Sequence, residues 1–381
     1  MTRTHGSPPA TGAWREGNPA GRRRWFRLPE PLVLEAGGVL PQVELAYETW
    51  GELNADASNA VLVLHALTGD SHVAGPADEG HPSPGWWDGL VGPGRALDTD
   101  RWFVVAPNVL GGCQGSTGPA STAPDGRPWG GRFPAVTVRD AVQAEVRLAD
   151  ALGIRRWAAV MGGSFGGMRA LEWAAGHPER VSAALLLCCC AVSSAEQIAW
   201  SAAQIEAIRS DPDWLGGHYH DLPDGRGPHA GLGVARRIAH ITYRSPHELE
   251  QRFGTAHQDG EHPWYGGRYA VESYLDHHAD KLARRFDAAS YVVLAQAMSG
   301  HDVGRGRGGV AAALRRVTAR TRVAGVDSDR LFPLEQQRQL AELIPGAGPV
   351  ATITSPHGHD GFLIETDQVS QLVTDLLADR G

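Results

Sequence analysis

The chain has 381 residues, 42% of them hydrophobic and 20% charged, and carries a formal net charge of −8. That length and hydrophobic content describe a folded chain with a sizeable core rather than a disordered one, and the negative charge argues against nucleic-acid binding as the main role. No apolar window reaches the roughly 18 residues of a membrane span, and the N-terminus lacks the apolar stretch of a secretory signal.

The four cysteines are Cys113 and the run Cys188-Cys189-Cys190, which has neither metal-ligand nor disulfide spacing. They are expected to be buried thiols in a reducing, cytoplasmic compartment, with no bound metal. Lys281 is the sole lysine.

Residues 1–25 are rich in Gly, Pro and Arg and are expected to form a mobile arm. Residues 31–50 alternate apolar and polar positions and predict a pair of antiparallel strands. Residues 60–64 form a continuous apolar run, a buried central strand, which ends in His65-Ala66-Leu67-Thr68-Gly69-Asp70. A second strand is expected over 102–106, followed by a long Gly-rich loop over 108–119 that lacks phosphate-loop spacing. Thr137 with Asp140 resembles a helix start, and Val138, Val142, Val146 and Ala149 supply one apolar stripe.

The apolar run 157–161 predicts the next strand. It turns through Gly162-Gly163-Ser164-Phe165-Gly166-Gly167 into a helical pattern carrying Met168, Leu171 and Ala175. Strand, Gly-flanked turn and helix together make a G-x-S-x-G nucleophile elbow with Ser164 at its tip. Residues 181–189 predict one more core strand. From 193 to 318 helical spacing replaces strand patterns, with stripes at Ile198, Ala202, Ile205, Ile208 and at Val234, Ile238, Ile241. Strand patterns resume at 321–326 and 350–354, and an amphipathic helix closes the chain.

The expected architecture is therefore an α/β-hydrolase fold. It has a mostly parallel sheet, a core over 26–192 and 319–381, and a helical lid over 193–318 inserted before the last two strands. The loop after strand 321–326 carries Asp327 and Asp329, and the loop after the last strand carries His357 and His359. Asp329, four residues before Pro333, and His359, in Gly-His-Asp-Gly-Phe, complete a Ser164–Asp329–His359 triad in the chain order of this fold. Serine needs an imidazole to take its proton, and the imidazole needs a carboxylate to fix its tautomer. The oxyanion amides are assigned to Phe165, directly after the nucleophile, and to Leu67, in the small-residue turn after strand 60–64.

At this point the chain resembles the homoserine O-acetyltransferase family. The segments that carry the resemblance are His65-Ala-Leu-Thr-Gly69, Gly85-Trp-Trp87, Asn108-Val-Leu-Gly-Gly112, Gly115-Ser-Thr-Gly-Pro119, Gly162-Gly-Ser-Phe-Gly-Gly-Met-Arg-Ala-Leu-Glu-Trp173, Ile241-Thr-Tyr-Arg244, Ser328-Asp-Arg-Leu-Phe-Pro333 and Gly358-His-Asp-Gly-Phe-Leu363. The resemblance implies ping-pong transfer of the acetyl group of acetyl-CoA to the hydroxyl of L-homoserine, in methionine biosynthesis. It also implies that Arg236, Tyr243 and Asp360 hold the amino acid, that no cofactor is permanently bound, and that the lid helices build a homodimer. Two positions depart from the family pattern. Phe165 stands where Met or Leu is usual, and Gln204-Ile205-Glu206 replaces one or two arginines. Homoserine O-succinyltransferase, L-serine O-acyltransferase, a plain esterase and a non-catalytic binding protein are the competing readings.

Overall fold

A computed structural model describes residues 8–222 and 224–378 of the chain. Eight strands build the main sheet: β1 (Arg24–Arg27), β2 (Glu44–Trp50), β3 (Ala60–Leu64), β4 (Phe103–Pro107), β5 (Ala159–Gly163), β6 (Ala183–Leu187), β7 (Arg320–Val326) and β8 (Ala351–Ile353). Their spatial order is β1-β2-β4-β3-β5-β6-β7-β8. The first two pairings, β1 with β2 and β2 with β4, are antiparallel, and all later ones are parallel. This is the α/β-hydrolase fold.

Strands β3, β5 and β6 are buried along their whole length, as parallel strands covered on both faces must be. Successive side chains point to opposite faces, so each strand feeds two cores. Leu62, Leu64, Val160 and Leu186 enter one apolar cluster, whereas Val61, Val63, Met161, Leu185 and Leu187 enter the other.

The helices follow in chain order as α1 (Val138–Ala151), α2 (Phe165–Gly176), α3 (Ala195–Arg209), α4 (His229–Tyr243), α5 (Pro246–Phe253), α6 (Ala270–Ala283), α7 (Ala288–Ser299), α8 (Val310–Leu314), α9 (Leu334–Leu343), α10 (Gly361–Ile364) and α11 (Thr366–Ala378). Thr137 starts α1 with a reciprocal capping box to Asp140, and Ser194 does the same for α3 with Gln197. Helices α3 to α7 lie between β6 and β7, where α3 packs on α4 and α7, and α6 packs on α4 and α5.

Two sequence expectations need correction. Residues 8–25 are not a free arm. Gly12 N–H donates to Phe286 O at 3.2 Å and Trp14 N–H to Cys113 O at 2.9 Å. The Arg23 side chain is buried and donates to Gln114 O and Gly80 O, and Arg24 already belongs to β1. The remainder of the expected arm, residues 1–7, lies outside the described residues.

Residues 31–50 do not make one antiparallel pair. Leu32–Val33 and Val39–Leu40 form a small separate ladder, while β2 pairs with β1 and β4 in the main sheet, with residues 45–48 buried. The apolar stripe of α4 is partly outward, with Ile238 half-buried. Val234 and Ile241 are exposed, as is Ile198 on α3, and α4 turns Leu232, Ala235 and Ala239 inward instead. Small residues let the helices approach closely: a Cβ on Gly231 would stand 2.5 Å from Ala207 O.

Candidate active site

The parallel strands end together, and the loops leaving β3, β5, β7 and β8 supply the site. Ser164 follows β5 directly and has φ 57° and ψ −123°, a strained conformation for a residue with a Cβ. The turn is tight on both sides. A Cβ on Gly162 would lie 2.5 Å from Gly166 C, and one on Gly166 would lie 2.0 Å from Leu64 O, so both positions require glycine. The Ser164 N–H is held by Leu187 O at 2.9 Å, which ties the elbow to the end of β6. Helix α2 starts at Phe165, whose N–H belongs to the first turn, where no intrahelical acceptor exists.

Asp329 is buried, and each of its oxygens is fixed. Oδ1 accepts from Leu331 N–H at 2.8 Å and from Phe332 N–H at 2.9 Å. Oδ2 stands 2.7 Å from His359 Nδ1. Burial disfavours the charged imidazole of His359, but the Asp329 charge, its hydrogen bond and the Asp360 charge outweigh that, and the net pKa is raised above 6.5. His359 Nε2 is buried and has no hydrogen-bond partner. No hydrogen bond joins it to Ser164 among the described residues. The elbow and the histidine loop nonetheless touch: a Cβ on Gly163 would meet the Phe362 ring at 2.3 Å, and that ring lies 5.4 Å from the His359 ring. Phe332 stacks on the other side of His359 at 5.1 Å.

The rejected neighbours have other work. Asp327 is exposed and accepts from Ser355 N–H at 3.0 Å. His357 Nδ1 lies 3.2 Å from Glu248 Oε1, but without hydrogen-bond geometry. It is a partly exposed loop group.

Leu67 lines a cavity of about 30 Å³ together with Met168, Tyr243 and Phe332. Its N–H enters no hydrogen bond among the described residues. Beside this lies a larger cavity of about 280 Å³. Arg236, Arg244, Lys281 and Arg285 line it together with Asp70 and Asp360. The Nε and Nη1 atoms of Arg236 are buried without partners, and its guanidinium sits 5.5 Å from the Tyr243 ring centroid. Burial raises the Asp360 pKa despite nearby Arg244, His359 and Arg236.

Sequence reasoning gave no role to several residues that build this region. Arg244 lies 3.2 Å from Asp360 Oδ2. Arg285 donates to Thr68 O at 2.9 Å, joining the helical segment to the Leu67 loop. Arg169, fully buried on α2, pairs with Glu145 of α1 and donates to His65 O at 3.3 Å. Arg244, Arg169 and His65 all stand inside motifs quoted above. Their pairing partners are distant in sequence, so spacing gave no signal.

Two groups of donor atoms lie close enough to suggest a metal, Glu48–His72–His81 and Cys188–Asp329–His359. In the first, the imidazoles stack at 3.9 Å with planes 9° apart, so their in-plane lone pairs cannot converge on one ion. They face the Glu48 carboxylate instead, at 3.0 Å from His72 and 3.3 Å from His81. In the second, Asp329 and His359 already bind each other.

The family model for the alpha/beta hydrolase fold matches residues 59–365. A homoserine O-acetyltransferase of Thermobifida fusca (strain YX) is 71% identical over 370 residues, 97% of each chain. The crystal structure of a homoserine O-acetyltransferase from Bacillus anthracis superposes with a TM-score of 0.85 at 29% identity, covering 93% of this chain and 97% of that one. The structure of esterase E22 superposes with a TM-score of 0.84 at 27% identity, over 93% of this chain and 99% of that chain.

Proposed function

The chain belongs to the homoserine O-acetyltransferase family of the α/β-hydrolase fold, and on that premise we propose that it transfers the acetyl group of acetyl-CoA to the side-chain hydroxyl of L-homoserine through an acyl-Ser164 intermediate. The observation that carries the mechanism is the buried Asp329–His359 pair, 2.7 Å long, with an unpartnered Nε2 beside the serine elbow.

His359 Nε2 takes the Ser164 proton as Oγ attacks the thioester carbon. The carbonyl electrons move to oxygen, where the Leu67 and Phe165 N–H groups receive them. Asp329 stabilises the imidazolium and holds its Nδ1–H. The tetrahedral adduct collapses, the C–S bond breaks, and His359 returns the proton to the CoA thiolate. Homoserine then repeats the sequence: His359 removes its hydroxyl proton, the oxygen attacks the acyl carbon, and Ser164 leaves with the proton.

The amino acid would sit in the charged cavity. The unpartnered face of Arg236 suits a carboxylate, with Tyr243 beneath it. Asp360 suits the ammonium, whose charge would oppose the upward push that burial gives its pKa. No permanently bound cofactor enters this scheme; acetyl-CoA is a substrate. Exposed Ile198, Trp200, Val234 and Ile241 give α3 and α4 an outward apolar surface, which supports a homodimer through these helices. No helix among the described residues is long and apolar enough to cross a membrane, and we assign the enzyme to the cytoplasm.

The test is free-thiol release from acetyl-CoA or succinyl-CoA with L-homoserine, L-serine or no acceptor. Fast release only with acetyl-CoA plus homoserine is expected. Preference for succinyl-CoA or serine would overturn the substrate assignment. A second reading, ester hydrolysis, is favoured by the likeness to esterase E22, and equal release without acceptor would support it.

A further inference from the structure

His65 is almost completely buried at the end of β3, and nothing in the scheme above uses it. Its partners determine its protonation without further assumption. Val109 N–H can only donate, and it donates to His65 Nε2 at 3.0 Å. That nitrogen therefore carries a lone pair, and the ring is neutral with its proton on Nδ1. Nδ1–H in turn donates to Ala66 O at 2.7 Å. Gly69 N–H donates to the same oxygen at 2.9 Å.

Ala66 O and Leu67 N–H belong to one peptide unit. No peptide bond in the described residues is cis, and in a planar trans peptide the C=O and N–H point in opposite directions. Two donors pulling on Ala66 O thus turn the Leu67 N–H away from them, and that N–H makes no hydrogen bond among the described residues. It stands where Leu67 shares a small cavity with Tyr243 and Phe332, the two rings 5.8 Å and 5.1 Å from the His359 ring.

We propose that His65 is a positioning residue for the oxyanion hole: its Nδ1–H holds the Ala66–Leu67 peptide plane so that the Leu67 N–H faces the reacting carbonyl oxygen. The inference rests on the reading of Leu67 as an oxyanion donor. A free peptide plane could swing its carbonyl toward the developing negative charge, replacing attraction by repulsion. The lock avoids that by fixing the plane before the substrate arrives.

The rest of the packing supports the lock. Arg169 Nη1 donates to His65 O at 3.3 Å, which ties the residue to the helix carrying Phe165. Burial, followed by the Arg169 charge, pushes the His65 pKa down to about 3. The imidazole therefore keeps one tautomer through the whole working range, unlike His359.

Two measurements test the proposal. In protein labelled with 15N-histidine, the His65 ring, assigned by its loss in His65→Asn, is expected to be neutral with Nδ1–H from about pH 5 to about pH 9. The Nε2–H tautomer, or titration in that range, would overturn the proposal, and the tautomer itself is read in the wild-type protein.

The second measurement compares His65→Asn, whose amide nitrogen can take the place of Nδ1, with His65→Gln, whose amide reaches the place of Nε2. The Gln variant is expected to lose about 100-fold in the rate of acyl-enzyme formation and the Asn variant less than about 10-fold, with KM for homoserine unchanged in both. Wild-type acylation rates in both, or losses that follow melting temperature alone, would show a merely structural histidine. Failure of the catalytic scheme itself reads differently, as no acyl-enzyme in the wild type.

Discussion

At the scale of single residues, Asp329 differs from Asp327 in what its oxygens face. Asp329 spends one oxygen on two backbone N–H groups and the other on His359, so its orientation is fixed before any substrate binds. Asp329→Asn is expected to lower kcat about 10⁴-fold, through loss of the charge and the correct imidazole tautomer. Asp327→Asn is expected to stay within a few-fold of wild type, since the Asp327 side chain is exposed and its hydrogen bond among the described residues is to Ser355 N–H. Steady-state kinetics on the pair checks this.

The pH dependence follows from the same contacts. His359 must be neutral to act as base, and its pKa is raised above 6.5. The acid limb of kcat/KM is expected above that value, with activity rising as pH rises through it. In Asp329→Asn the Asp329 charge and its hydrogen bond are lost while burial and the Asp360 charge remain, so the limb of the residual activity is expected to move to lower pH. The raised pKa also means that protonated His359 stabilises the fold. That contribution is complete below the unfolded-state pKa and is lost as pH rises through the folded one.

The serine elbow and the Asp329–His359 pair were legible in the sequence because each residue sits in a short loop after an apolar run, and the chain order restricts the fold. The roles of His65, Arg169 and Arg244 were not, because each involves a partner distant in sequence: Val109, Glu145 and Asp360. Nothing local distinguishes His65 from a histidine that merely fills space.

Among the elements, α1 and α2 carry the site's main buried ion pair. Arg169 donates to Glu145 through Nε at 2.9 Å and Nη2 at 2.5 Å, and Trp173 Nε1 donates to the other carboxylate oxygen at 2.8 Å. Both charged groups are almost entirely buried. Arg169→Met is expected to cost about 3–5 kcal/mol, because it leaves Glu145 charged and unpaired in the core. Combining it with Glu145→Gln should restore part of that loss. Chemical denaturation of the three variants measures both, and a single-variant loss under about 1 kcal/mol would contradict the account.

Strands and helices of ordinary length were legible from periodicity and capping: α1 begins at the capping box that Thr137 and Asp140 announce. Strand β1 was missed because four residues of Arg-Trp-Phe-Arg, with two residues partly covered, give no alternation. Its placement comes from pairing with β2, a contact no local pattern encodes. The direction in which Val234 and Ile241 point was likewise not set by the pattern. Periodicity locates an apolar face but does not say whether the face meets the core or another molecule.

For the whole molecule, the substrate cavity forms where α4 and α6 meet the loops of the sheet, so its composition comes from segments distant in sequence. Four basic side chains and two acids line it, and this charge supports the reading of an amino-acid substrate and an anionic donor rather than a neutral ester. Arg236→Gln is expected to raise KM for homoserine about 10- to 100-fold, as loss of charge-assisted bonds to a carboxylate should, while acyl-enzyme formation stays close to wild type. A parallel loss in acylation would place Arg236 on the donor instead. The fold class was legible from the order of strands, elbow and helical segment; the cavity's charge pattern required the fold.

The central claim is that the acetyl group rests on Ser164 before it reaches homoserine. Rapid-quench intact-mass analysis of the protein mixed with acetyl-CoA tests it most directly. The account expects a single acetyl adduct that forms without acceptor, maps to Ser164, is absent in Ser164→Ala, and disappears as O-acetylhomoserine forms when L-homoserine is added. Full turnover with no adduct at any time, or an adduct on another residue, would contradict it.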